Sequence, residues 1–164
     1  MRKIRILAAM SMDGFYVSLK ESQRLYNFNI QEYAEFCQEA DAVLTTVSEY
    51  KKIREIELTH GKPVYISLQD TSLTLEKETT GNSLLTIEEL QKDGKENIFI
   101  MGNCCKLINS LLNKNRVDEI YTILFPVILG KGKRIFSALP FSLWKVKSRQ
   151  LLDSGINIIQ YNKK

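Results

Sequence analysis

Histidine and cysteine are scarce in this sequence of 164 residues, which holds one histidine and three cysteines. The single histidine, His60, stands in a turn-like stretch and is predicted to be a surface imidazole, so no histidine-based metal site is expected. Cys37, Cys104 and Cys105 cannot all pair, and their spacing fits neither a disulfide framework nor a zinc site. A reducing, cytoplasmic compartment is predicted. For Cys104 and Cys105, two small packed side chains are favoured over a strained vicinal disulfide.

Long apolar runs are also missing, and no stretch approaches the roughly 20 residues that span a bilayer. The N-terminal segment lacks the pattern of a signal peptide, so no membrane partner is expected. The net charge of +4 is too small to indicate a nucleic-acid partner. Lys145, Lys147 and Arg149 alternate with other residue types, which is typical of one solvated face of a strand. Neither a membrane protein nor a nucleic-acid module is predicted.

What the sequence does contain is an alternation of short apolar strands and amphipathic helices. The hydrophobic content of 44% supports one domain over residues 1–164. The predicted strands cover residues 3–10, 42–44, 62–68, 97–101 and 119–129, and a hairpin covers 144–152 and 156–161. Helices are predicted over 30–40, from near Glu49, from Thr86 to Asp93, and after Gly102. This order predicts an α/β fold with a mostly parallel sheet, helices on both faces, and antiparallel strands at one edge.

Three strand ends are candidates for ligand binding. In a parallel sheet, ligands bind at the carboxyl ends of strands, where helix N-termini offer unpaired N–H groups. The candidate segments are Ala9–Gly14, Thr45–Ser48 and Gly102–Cys105. Gly102 directly follows a buried strand, where the lack of a Cβ either admits a phosphate or meets a steric need of the turn. The local sequence leaves both readings open.

Several motifs occur in order along nearly the whole chain. They are Ala9-Met10-Ser11-Met12-Asp13-Gly14, Ala40-Asp41-Ala42-Val43-Leu44, Ile98-Phe99-Ile100-Met101-Gly102, Val117-Asp118-Glu119-Ile120 and Phe125-Pro126-Val127-Ile128-Leu129-Gly130-Lys131-Gly132. In this order the chain resembles the dihydrofolate-reductase-like family, most closely the branch that includes the reductase domain of bacterial riboflavin biosynthesis. The resemblance implies a three-layer fold with a mixed sheet, a homodimer, and reduction of a pteridine- or pyrimidine-like ring by hydride from NADPH.

The resemblance also implies roles for individual residues. Ala9 and the Ser11–Gly14 loop would border the nicotinamide and the substrate, with Ser11 and Asp13 as the catalytic candidates. The adenosine, ribose and phosphate groups would be bound by Thr46, Val47, Ser48 and Ser67, and the pyrophosphate by Gly102, Asn103, Cys104 and Cys105. From the residues alone, an Asp-Gly pair at a strand end is equally ordinary turn chemistry.

Two departures from the family pattern fall on the cofactor site. Where family members commonly carry Gly-Arg-x-Thr, this chain has Thr46-Val47-Ser48-Glu49, without the arginine and with an acid that would repel phosphate. Where they carry Gly-Gly, it has Gly102-Asn103, and asparagine adopts the tight backbone conformation less readily. NADPH is the predicted cofactor, with NADH or none as alternatives. The alternative function is a noncatalytic family member that keeps the dimeric scaffold and binds a nucleotide or another small ligand.

Overall fold

The alternating residues 3–10 form an interior strand of a nine-stranded sheet in the computed structural model, which describes residues 2–67, 72–75 and 84–164. The strands are β1 (Lys3–Met10), β2 (Ala42–Thr45), β3 (Val64–Ser67), β4 (Ser72–Leu75), β5 (Leu84–Thr86), β6 (Asn97–Ile100), β7 (Glu119–Leu124), β8 (Trp144–Leu151) and β9 (Asn157–Lys163). The helices are α1 (Leu19–Tyr26), α2 (Ile30–Glu35), α3 (Val47–His60), α4 (Ile87–Lys92) and α5 (Cys105–Asn113).

The sheet has a parallel centre and antiparallel edges. Its spatial order is β5-β4-β3-β2-β6-β1-β7-β9-β8. The pairs from β3 through β2, β6 and β1 to β7 are parallel, whereas β4 and β5 on one side and β9 and β8 on the other are antiparallel. All parallel strands therefore end at the same edge, where ligands bind in sheets of this kind.

Helices cover both faces of the sheet. Side chains from α1, α2 and α3 pack on one face in a cluster that includes Leu19, Tyr33 and Ile53. Side chains from α4 and α5 pack on the other face in a second cluster, with Leu90 and Ile108 among its fully covered members. The alternating strands supply one side chain to each face in turn, and because helices cover both faces, the six inner residues of β1 are all buried. The predicted three-layer α/β architecture with a C-terminal antiparallel hairpin is confirmed.

Several predicted elements differ from the structure. The predicted strand 119–129 ends at Leu124, because the chain turns away at Pro126, which has no N–H for a ladder hydrogen bond. The helix predicted to reach residue 40 ends at Glu35, and the N–H groups of Phe36 and Cys37 bond three residues back in tighter turns.

Some elements were not predicted at all. Helix α1 begins with the capping box of Ser18 and Glu21, and strands β4 and β5 add antiparallel pairing at a second edge of the sheet. The last residue of the strand predicted over 62–68 lies outside the described residues. Among the helices that are described, none is long and apolar enough to cross a membrane.

The Asp118-Glu119 motif links β1 to β7 through hydrogen bonds and ion pairs of its two carboxylates. The Asp118 Oδ2 atom accepts the N–H of Ile4 at 2.8 Å. Glu119 has a side chain that is 3% exposed, and it accepts from Arg5 Nε at 2.8 Å and from Lys3 Nζ at 3.0 Å. Burial alone would raise the pKa of Glu119, but these hydrogen bonds and the nearby positive charges outweigh it and lower that pKa to about 2. The motif therefore serves strand pairing.

Candidate active site

A cleft of about 470 Å³ opens at the edge where the parallel strands end. It is lined by the last residue of β3 and by residues that follow β2, β6 and β7. The lining residues are Thr46, Ser67, Asn103, Cys104, Cys105, Lys106, Leu107, Lys133, Arg134 and Ser137. Most of these side chains carry a hydroxyl, amide, thiol or cationic group. The lining includes the cations Lys106, Lys133 and Arg134 and no carboxylate, so the cleft is positively charged, as a site for an anionic ligand should be.

The cleft gathers many of the predicted binding residues but leaves others outside it. Thr46, Ser67, Asn103, Cys104 and Cys105 all line it, although Thr46 and Cys105 are 59 positions apart in the sequence. The structure thus brings the ends of β2, β3 and β6 to one place, as parallel pairing requires.

Four further predicted residues do not line this cleft. Ala9 is 4% exposed and packs in the core of one sheet face. Val47 is 65% exposed and, like the exposed Ser48, lies on the first turn of α3. Gly102 lies behind the cleft wall, against side chains of β2 and α3. Their roles toward a cofactor stay predictions.

Lys133 and Arg134 form a basic wall of the cleft, although neither was among the predicted site residues. The segment that carries them is held in place by the backbone, since the N–H of Tyr16 donates to the carbonyl of Lys133 at 2.8 Å. The Arg134 guanidinium lies 4.5 Å from the centre of the Phe15 ring. Only the folded chain brings these cations to the strand ends, and the cluster of basic residues was the signal for them in the sequence.

Asn109 of α5 fixes the next part of the same segment. Its Nδ2 atom donates to the carbonyl of Ile135 at 2.7 Å, and its Oδ1 atom accepts the N–H of Ser137 at 3.0 Å. One amide side chain thereby satisfies two backbone groups of a loop that lacks regular structure. Asn109 is a positioning residue for the cleft wall that sequence reasoning missed.

The N-terminus of α5 opens into the cleft. Cys104 is the N-cap residue of this nine-residue helix, and its side chain makes no capping hydrogen bond. The first N–H groups of a helix have no partner within the helix, and the helix dipole places partial positive charge beside them. With Lys106 and Lys133 nearby, this terminus matches the chemistry of a phosphate group.

The Ser11–Gly14 loop is tied to the segment after β7 by Asp13. The Asp13 carboxylate accepts the Ser11 hydroxyl at 2.5 Å and the N–H groups of Leu129 and Gly130 at 3.1 and 2.7 Å. The bond from Ser11, followed by those from the two amides, lowers the pKa of Asp13 to about 2. Asp13 is thus ionised and fully engaged in turn chemistry, which does not suit a proton donor. The catalytic roles of Ser11 and Asp13 stay predictions.

The two departures from the family pattern carry smaller costs than the sequence suggested. Among the described residues other than glycine, positive φ angles occur at Asn27, Asn115 and Ala138 and not at Asn103. The expected backbone penalty at Asn103 is therefore absent. Glu49 does not face the cleft with its whole carboxylate, because its Oε2 atom is buried beneath Gly102. This chain lacks the arginine of the family's Gly-Arg-x-Thr motif, and Lys133 and Arg134 supply positive charge at the cleft instead.

No group of three or more histidine, cysteine, aspartate or glutamate side chains among the described residues is placed to bind a metal ion. Cys104 and Cys105 are free thiols. Burial raises the pKa of the Cys105 thiol, and the charge of Lys133 opposes that effect only in part. The chemistry of the cleft is therefore that of hydroxyls, amides and cations.

Comparison with known proteins agrees with this architecture. Residues 27–158 match the family described as the RibD C-terminal domain. The chain is 26% identical over 151 residues to the uncharacterized protein YwjB of Bacillus subtilis (strain 168), covering 84% of each protein.

Solved structures show the same fold at low identity. A pyrimidine reductase-like protein from Corynebacterium diphtheriae superposes with a TM-score of 0.72 at 11% identity, covering 99% of this chain and 92% of that one. Dihydrofolate reductase from Enterococcus faecalis, in complex with NADP(H), gives 0.59 at 9% identity, covering 99% and 96%. Because the family match spans most of the sequence, this chain belongs to the RibD C-terminal domain family and has a dihydrofolate-reductase-like fold.

Proposed function

We propose that residues 1–164 act as one cytoplasmic reductase domain that transfers hydride from NADPH to a pteridine- or pyrimidine-like small molecule. The cleft carries this proposal, because it joins predicted cofactor residues from three strand ends to a basic wall. The family match and the reductase-like relatives support the same chemistry. The pteridine or pyrimidine ring of the substrate follows from the resemblance alone.

The residues of the cleft fit a dinucleotide phosphate. Lys106, Lys133 and Arg134 provide positive charge, and the uncapped terminus of α5 provides N–H donors. Thr46 and Ser67 carry hydroxyls at the neighbouring strand ends, as contacts with ribose or phosphate oxygens require. The donor set therefore suits the charge and hydrogen-bonding pattern of NADPH.

When bound, NADPH supplies the hydride, and the protein supplies orientation and a dry surface. The strand ends and Asn109 hold the cleft walls in fixed positions, so the ligand does not have to order them on binding. The buried apolar side chain of Leu107 excludes water from the part of the cleft that it lines.

Replacing Lys133 with alanine should weaken NADPH binding by about tenfold, the value of one charge-assisted contact. The measurement is a titration followed by nicotinamide fluorescence, with NADH in parallel. Lys131→Ala is the matched control, because Lys131 is an exposed lysine two residues away that is not among the lining residues. Equal losses for both variants would place the phosphate elsewhere, and no binding of either cofactor at millimolar concentration would refute the reductase.

The noncatalytic alternative depended on the two sequence departures at the cofactor site. Asn103 carries no backbone penalty, and Lys133 and Arg134 add charge at the cleft, so the structure gives that alternative no specific support. Oxidation of NADPH in the presence of candidate heterocycles would separate catalysis from mere binding.

We also propose a homodimer that uses the outer face of β8 and the segment before it. Phe141 is 89% exposed and Val146 is 54% exposed, next to an apolar cleft of about 320 Å³ that includes Trp144 and Phe136. Edge strands and exposed apolar patches of this kind are commonly covered by a partner. Lys145 and Lys147 would repel their own copies across an edge-to-edge pairing, which favours packing through the apolar side chains.

Changing both Phe141 and Val146 to aspartate should convert the dimer to a monomer, since each charge would be buried unpaired at the interface. Gel filtration with light scattering measures the mass. Leu25→Asp is the control, because Leu25 is 41% exposed on α1, far from β8 in the chain. A wild-type protein with the mass of one chain would contradict the proposed dimer.

A further inference from the structure

A cluster of buried polar side chains lies directly behind the cleft; we name it the Glu49 cluster and define it as Tyr16, Tyr33, Thr45 and Glu49. Thr45 is 0% exposed. The Tyr33 hydroxyl, Thr45 Oγ1 and Glu49 Oε2 are buried atoms with no hydrogen-bond partner in the described part of the chain. Buried polar atoms are usually paired, so a group of three such atoms calls for a physical explanation.

Two of these oxygen atoms converge on the glycine behind the cleft. A Cβ on Gly102 would stand 2.7 Å from Thr45 Oγ1 and 2.8 Å from Glu49 Oε2. The adjacent residues Asn103 and Cys104 line the cleft itself. The Glu49 carboxyl therefore lies directly behind the wall against which an anionic ligand would bind.

The surroundings of Glu49 make its ionised form less favourable than it is in water. Burial raises the pKa of Glu49, and Glu21 of α1 adds to this effect, while a hydrogen bond from the Tyr16 hydroxyl and the charge of Lys52 oppose it. After burial, which is the larger cause, the charge of Glu49 also raises the pKa of the Cys104 thiol. A charge at Glu49 thus affects the electrostatic environment of Cys104, which lines the cleft.

The remaining neighbours add no positive charge. Burial raises the pKa of Tyr33 of α2; the nearby Ser22 side chain opposes this effect only in part, and the charge of Glu49 adds to it. Cys105, at the start of α5, responds to Glu49 in the same direction, after the effects of burial and of Lys133. Burial and then the charge of Glu49 also raise the pKa of Tyr16. Lys52 is the cation whose charge lowers the pKa of Glu49.

We propose that Glu49 takes up a proton when a dinucleotide phosphate occupies the cleft, so that this residue sets how strongly the site holds anions. The inference depends on the proposed function, because it concerns the same cleft. A phosphate and an ionised carboxylate on the two sides of one wall repel each other through a medium of low dielectric. By reciprocity, protonation of Glu49 strengthens phosphate binding and bound phosphate favours the protonated form.

The test is the affinity for NADP+, which tolerates acid, measured by calorimetry from pH 5 to pH 8. The wild-type protein should lose affinity as the pH rises through the raised pKa of Glu49. The total loss should be about tenfold if the ligand shifts that pKa by one unit. Titrations in two buffers of different ionisation enthalpy should show proton uptake on binding.

Glu49→Gln should bind NADP+ more tightly than the wild type at pH 8 and should lose the corresponding proton uptake. The 2′-phosphate also titrates in this range, but its contribution is the same in both proteins and cancels in their ratio. Glu55→Gln removes an equal charge from an exposed position on the same helix and should follow the wild type.

Tyr16→Phe provides a second, independent readout. It removes the hydrogen bond that lowers the pKa of Glu49, so the loss of affinity should move to higher pH. This result stands even if Glu49→Gln does not fold. A purely structural role for Glu49 would leave proton uptake unchanged.

The failures of the two proposals are distinguishable. NADP+ binding with the same pH profile in wild type and Glu49→Gln would overturn the role of Glu49 and leave the cofactor site standing. An absence of NADP+ binding by the wild type at every pH would overturn both.

Discussion

Replacing Gly102 with alanine should lower the free energy of unfolding by about 3 kcal/mol. The left-handed conformation accounts for about 1 to 2 kcal/mol of this loss and overpacking for the rest. The φ angle of Gly102 is +83°, and the new Cβ would stand 2.7 Å from Thr45 Oγ1 and 2.8 Å from Glu49 Oε2. Urea denaturation followed by circular dichroism measures the change.

Gly94→Ala is the matched control for this substitution. Gly94 has nearly the same φ angle, +87°, but no described atom lies within 4 Å of the position that its Cβ would take. It should therefore lose only the conformational part, about 1 kcal/mol. Equal losses of unfolding free energy in the two variants would mean that Thr45 and Glu49 do not lie close to Gly102.

Replacing Glu119 with glutamine should lower the free energy of unfolding by about 3 kcal/mol, because it leaves the buried Arg5 guanidinium with only the exposed carboxylate of Glu39, 3.2 Å away, as its counter-charge. Arg5 is 7% exposed and its Nε atom donates to Glu119 Oε2 at 2.8 Å. The Gln160 amide donates to the same oxygen at 3.3 Å. Thermal and urea unfolding at pH 7 measure the loss.

The lowered pKa of Glu119 predicts how the free energy of unfolding depends on pH. The folded state lowers the pKa of Glu119 from 4.5 to about 2, so its contribution is complete above 4.5 and is lost as the pH falls toward 2. Glu119→Gln should flatten the stability profile in that interval. Glu88→Gln is the control, because its pair with Arg116 is solvent-exposed and worth less than about 1 kcal/mol. An unchanged acid profile in Glu119→Gln would contradict the assignment.

The candidate site could be predicted in part because of where the sequence places its polar residues. Thr46 and the Asn103–Cys105 segment directly follow apolar strands, and parallel strands end at one edge. The basic wall could not be predicted in this way. Lys133 and Arg134 lie 28 and 29 positions after Cys105, in a segment whose path depends on the hydrogen bonds of Asn109 and Tyr16.

The need for glycine at position 102 could be predicted from the sequence, but only part of the reason for it. The sequence indicated a turn that needs the freedom of glycine, and the φ angle of +83° bears this out. The sequence left open whether a phosphate or the turn itself required the missing Cβ. In the structure, the side chains of Thr45 and Glu49 already occupy the space that a Cβ on Gly102 would take.

Elements with local sequence signals could be predicted without the structure. The strand predicted over residues 3–10 is β1, the helix predicted from Thr86 contains α4, and the hairpin predicted over 144–152 and 156–161 is formed by β8 and β9. Tertiary structure set the inward direction of Glu49. It also decided the engagement of Asp13 with Leu129 and Gly130. Each of these depends on contacts between segments far apart in the chain, whose energies no local pattern encodes.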